Sequence, residues 1–106
     1  MPKLNNLDLA KVGVSEEMGE LQQVIGKIDR FGYRSKHPQT GESNIHAMAG
    51  EIGDLYGCVE FWLDELGKKL DGQERLDFAR ILVARRDEKK AKLIRYNDER
   101  GGEGDL

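Results

Sequence analysis

The 106-residue chain has a single cysteine, Cys58, and two prolines, Pro2 and Pro38. One thiol forms no internal disulfide, which excludes the disulfide-stapled secreted scaffolds and favours a reducing, cytoplasmic setting. So few prolines leave no rigid linker, and a chain of this length has room for one domain. No apolar run approaches the roughly 18 residues a membrane helix needs, and Met1 to Leu7 lacks the charged and apolar regions of a secretion signal. Strand-like alternation is almost absent, and no internal repeat is visible.

What the chain has in quantity is charge and helical spacing. Charged residues make up 35% and apolar residues 38%. Residues 1–67 carry 6 basic and 11 acidic side chains, residues 68–96 carry 10 and 5, and residues 97–106 carry 1 and 4. A net charge of -3 therefore hides an acidic half and a basic segment, a pattern suited to bringing cations and anionic groups together. A short first helix is expected from about Leu7 to Lys11, ending near Gly13, with Ser15 capping a second helix that starts at Glu16. Val14, Met18, Leu21, Ile25 and Ile28 give that second helix its apolar stripe, which stops at Phe31 and Gly32. The segment from Tyr33 to Ser43 reads as a loop, and Ser43 or Asn44 as the cap of a third helix. In it Met48, Ile52, Leu55, Val59, Trp62 and Leu66 keep heptad spacing up to Gly67. After a turn at Asp71 and Gly72, a last helix with a basic surface is expected from about Gln73 to Tyr96. The fold class is all-α, an antiparallel helical bundle, with residues 1–96 as one domain and the Gly-rich acidic residues 97–106 as a disordered tail. A domain this small commonly completes its core by self-association, so a homo-oligomer is expected.

The chemistry concentrates in two carboxylate sets. Glu16, Glu17 and Glu20 stand within one turn of the second helix, and Glu51 and Asp54 repeat the device on the third. Residues three or four apart share a helix face with Cβ atoms about 5–6 Å apart, so each set projects side by side. Both sets flank an apolar stripe, which puts them near the seam between helices. Four or five ionised carboxylates crowded there are unfavourable unless their pKa values rise or hard cations neutralise them. With no cysteine or histidine at ligand spacing, the donors are all oxygen, and magnesium or manganese is the fitting ion. A di-iron bundle site is excluded, because neither His37 nor His46 has a Glu three residues before it. Gly19, Gly50, Gly53 and Gly57, costly in a helix interior, are expected to give close helix approach or room for a ligand.

Glu16-Glu17-x-x-Glu20 followed by Glu51-x-x-Asp54 resembles the signature of the all-α nucleoside triphosphate pyrophosphatase superfamily, which includes MazG-like enzymes, dimeric dUTPases and phosphoribosyl-ATP pyrophosphatases. The likeness covers about Val14 to Tyr96. The 30 residues between the pairs slightly exceed the usual spacer, and the chain length is similar to that of a single-domain MazG-like protein. The resemblance implies that Glu17, Glu20, Glu51 and Asp54 bind Mg2+, or Mn2+, with Glu16 close enough to join them or to orient water. Glu16 or Glu20 is then the proton acceptor. It also implies that Lys89, Lys92, Arg95 and Tyr96 hold phosphates. From the residues themselves, Lys27, Arg30, Arg34 and Lys36 are candidates for the remaining phosphate oxygens or the base, against a plain solvated loop. The expected activity is hydrolysis of a (d)NTP at the α-phosphate to (d)NMP and pyrophosphate, with a purine such as (d)GTP suggested by similar small proteins. The expected assembly is a dimer or tetramer. The competing reading is a non-catalytic helical module that grips nucleic acid or a partner protein through its basic last helix.

Overall fold

The computed structural model describes residues 3–100. It contains three helices, α1 (Asn6–Phe31), α2 (Asn44–Gly67) and α3 (Gly72–Arg100), and no strand among the described residues. The chain divides into two compact units, Met1–Lys68 and Lys69–Leu106. The first holds α1 and α2 and the second holds α3.

The short first helix and the second helix expected from the sequence are one. Asn5 caps α1, its Oδ1 accepting from the Asp8 amide at 2.8 Å, and the helix runs without a break through Gly13 and Ser15. A lone glycine costs a helix only about 1 kcal/mol, less than a turn of hydrogen bonds is worth, so Ser15 does not cap. Gly13 is there for another reason. A Cβ on it would lie 3.0 Å from Cys58 Sγ, so α1 and α2 approach closely here. The helix ends at Gly32, whose φ of 90° suits glycine and whose amide donates to the Ile28 carbonyl at 2.7 Å.

The 33–43 segment is a loop as expected, and Ser43 is the α2 cap, its Oγ accepting from the His46 amide at 3.2 Å. The loop is tightly tied. His37 N donates to the Glu42 carbonyl and Gly41 N to the His37 carbonyl, both at 2.8 Å, and Lys36 and Ser43 form an isolated antiparallel bridge. Asn44, buried at the start of α2, donates from Nδ2 to the Gly32 carbonyl at 2.8 Å and pins the end of α1 to the start of α2.

Gly13 meets Cys58, Glu17 meets Glu51 and Asp54, and Gly32 meets Asn44, so rising numbers on α1 face falling numbers on α2. The two helices are antiparallel. Their buried apolar core is small, Ala10 and Val24, while Met18, Ile25, Phe31 and Tyr56 are exposed.

α3 opens with a reciprocal capping box: the Glu74 amide donates to Asp71 Oδ1 at 2.8 Å, and the Asp71 amide donates to Glu74 Oε1 at 3.0 Å. Gln73 with Asp77 and Arg80 with Asp77 add side-chain ties along the first turns. No residue of α3 is buried. It continues to Arg100, so residues 97–100 are helical and not part of a disordered tail; residues 101–106 lie outside the described residues. No described helix is long and apolar enough to cross a membrane.

Unlike Gly13, Gly19 has nothing within 4 Å of an added Cβ. Gly19→Ala should therefore raise stability by about 0.5–1 kcal/mol, whereas Gly13→Val should lower it by about 1–3 kcal/mol through overpacking against Cys58. Denaturant unfolding of the two variants checks this, and equal effects would remove the close approach from the description.

Candidate metal centre

Glu17 comes from the middle of α1, and Glu51 and Asp54 come from successive turns of α2. Each offers one carboxylate oxygen, and the three oxygens lie within 4.8 Å of one another. Glu17 and Glu51 are half-buried and Asp54 is exposed. Glu17 Oε2 and Glu51 Oε2 are inaccessible to solvent and have no hydrogen-bond partner. A buried acceptor without a donor is costly, and a proton, a water molecule or a cation between these carboxylates would relieve it.

The pKa values respond accordingly. A side-chain hydrogen bond with Glu20, which the acid form of Glu51 donates, is the largest cause that pushes Glu51 up to about 6. Partial burial and the charges of Glu20, Glu17 and Asp54 add to it. Glu17 is raised above its ordinary value first by partial burial, then by the charges of Glu20 and Asp54, with a hydrogen bond from Glu51 opposing and Glu16 adding least. Glu20 thus belongs to the cluster through Glu51, although it is not one of the three converging oxygens. Glu16 is the outlying member, exposed at the edge of the set.

The donor set suits a hard cation. Three carboxylates with no nitrogen or sulfur among them match magnesium or manganese, and the oxygens are close enough for one ion to touch all three. Beside them runs a groove of about 710 Å3 between α1 and α2, lined by Glu17 and Asp54 and by the apolar or small residues Leu9, Gly13, Gly57, Cys58 and Phe61. Added Cβ atoms at Gly19, Gly50, Gly53 and Gly57 would meet nothing within 4 Å, so these glycines give open space and not the close helix contact also expected of them.

The cationic candidates separate into two groups. Lys27, Arg30 and Lys36 line one cavity together with His37 and Glu42, while Arg34 is not among its lining residues. Lys89, Lys92, Arg95 and Tyr96 share one exposed face of α3, in the second unit, where Arg100 donates to the Tyr96 hydroxyl and lies 5.1 Å over its ring. Sequence reasoning missed Asn44 as the pin between helices and His37 as the organiser of the loop. His37 Nδ1 accepts from the Gln39 and Thr40 amides at 3.1 and 3.4 Å, which leaves the ring proton on Nε2. The turn composition around it, with Pro38 directly after and Gly41 three residues further on, is the one signal that points to such a role.

Compared with protein-family models, with curated proteins and with solved structures, the chain matches none.

Folded Glu51 holds its proton to about pH 6 and the unfolded chain only to about 4.5, so in that window the folded state binds more protons. On this account stability in EDTA is greatest at the acid end and falls as the pH rises through about 6. Added Mn2+ should reverse the loss, raising the melting temperature at about pH 7.5 and hardly at about pH 5, where protons compete for the ligands. Glu51→Gln should weaken both effects, the raised Glu17 carboxyl leaving a smaller pH dependence. Thermal unfolding with EDTA or Mn2+ measures this, and a metal response of equal size at the two pH values would contradict it.

Proposed function

We propose that the chain is a metal-dependent nucleoside triphosphate pyrophosphohydrolase, a MazG-like member of the all-α pyrophosphatase superfamily that its carboxylate spacing resembles. The observation that carries this reading is the meeting of Glu17 of α1 with Glu51 and Asp54 of α2, with Glu17 Oε2 and Glu51 Oε2 shut off from solvent. Bound there, Mg2+ or Mn2+ supplies the positive charge that lets an acidic cluster accept a polyphosphate and polarises the phosphoryl oxygens.

The residues divide the remaining work. Glu17, Glu51 and Asp54 hold the ion, with Glu20 beside Glu51 as a fourth ligand or as a base. Hydrolysis forms a bond from a water oxygen to the α-phosphorus and breaks the bridging bond to the β-phosphate, whose electron pair leaves with pyrophosphate. The water proton passes to a carboxylate, Glu20 or Glu16. The apolar groove beside Glu17 and Asp54 has room for the nucleoside, with Phe61 as a stacking surface. Lys27, Arg30 and Lys36 answer phosphate oxygens that the ion does not reach. Lys89, Lys92, Arg95 and Tyr96 are assigned to phosphates by the resemblance alone.

The thin core of α1 and α2 and the wholly exposed α3 support assembly into a dimer or tetramer, since so little apolar burial does not sustain a small helical fold unaided. The lone thiol supports a cytoplasmic setting. Among substrates a purine such as (d)GTP is preferred.

Incubation with each common NTP and dNTP in Mg2+ or Mn2+ should release pyrophosphate and monophosphate. Glu17→Gln and Asp54→Asn should each lower turnover by about a hundredfold or more while leaving the helical circular dichroism near wild type. Release of inorganic phosphate alone, or full activity in either variant, would defeat the proposal.

A further inference from the structure

The space along α1 and α2 changes character beyond the carboxylates. Lys27 stands seven positions after Glu20, about 10 Å further along the helix and within about 20° of the same direction. On α2, Ala47 stands one turn before Glu51. Both Lys27 and Ala47 line a cavity of about 410 Å3, to which Arg30 and Lys36 also contribute. This cavity therefore continues the carboxylate face toward the loop end of the helix pair.

Its charge is unbalanced. Three cations meet a single carboxylate, Glu42, and none of the three forms an ion pair among the described residues. Arg30 lies 5.6 Å over the Phe31 ring, a cation–π contact that uses none of its N–H donors. The first amides of α2 are already used: Asn44 N donates to the Ser35 carbonyl, Ile45 N to the Tyr33 carbonyl and His46 N to Ser43 Oγ. An anion here must be bound by side chains and not by a helix end. The backbone that carries Lys36 is fixed by the Lys36–Ser43 bridge and by the amide bonds to His37 Nδ1, so little ordering is left for the ligand to impose.

We propose that this cavity seats the terminal phosphates of a polyphosphate chain and does so without metal. A nucleobase has no charge to answer three cations, whereas a terminal phosphoryl group brings several oxygens and about two negative charges. Resting on the hydrolase reading, this assignment also orients the substrate, with the leaving pyrophosphate toward the loop and the nucleoside toward Gly57 and Phe61.

Inorganic pyrophosphate titrated into the full chain in EDTA, followed by calorimetry, tests it. Saturable binding is expected, weakened by about tenfold or more in Arg30→Gln/Lys36→Gln and not weakened in Asp54→Asn. An α,β-methylene nucleoside triphosphate should displace the pyrophosphate. No saturable binding, binding that survives Arg30→Gln/Lys36→Gln intact, or binding lost in Asp54→Asn overturns the cavity; pyrophosphate and the analogue bound together overturn the orientation. Nucleotide turnover is scored apart from this: turnover without pyrophosphate binding removes the cavity alone, and pyrophosphate binding without turnover removes the hydrolase reading alone.

Discussion

Four carboxyl groups from two antiparallel helices are held where they repel one another, and the rest of the structure is arranged around that repulsion. Glu17 and Glu20 approach Glu51 and Asp54 across the α1–α2 seam, and the sharing of a proton by Glu51 is the one relief the protein itself supplies. As the pH rises through about 6 that relief is lost, and the three converging carboxylates are a set that could hold a cation. The tolerance has structural causes. Asp54 is open to water, and the glycines beside the cluster leave space unfilled, so the charges are crowded without being sealed in.

Along the helix pair this acidic centre lies between two unlike regions. Toward the N-terminal half of α1 the groove is apolar and opened by glycine. Toward the loop a separate cavity is lined by Lys27, Arg30 and Lys36, and the loop is braced by His37 and Asn44. A nucleic acid backbone would ask for a continuous basic track, and the carboxylates interrupt any such track within the first unit.

The acidic cluster was legible because helical spacing alone places Glu17 with Glu20 and Glu51 with Asp54, and adjacency to the apolar stripes places both pairs at the seam. The Ser43 cap and the extent of α2 were equally readable from local chemistry. The start of α1 was not. Gly13 followed by Ser15 has the composition of a helix end and a new cap, and only the tertiary partner, Cys58 pressed against Gly13, explains a glycine inside a continuous helix. The end of α3 differs for a related reason: the polar residues 97–100 continue the helix although no apolar periodicity marks them. Convergence of Lys27, Arg30 and Lys36 on one cavity depends on how the loop folds back, and that rests on hydrogen bonds to His37 Nδ1 and from Asn44 Nδ2 that no spacing rule reports.

The central claim is that a cation belongs between the helices, and its location can be seen directly. Crystals grown with Mn2+ and measured for anomalous scattering should show a peak within about 2.0–2.3 Å of carboxylate oxygens of Glu17, Glu51 and Asp54. A peak only elsewhere, or none at manganese concentrations that saturate the protein in solution, would contradict it.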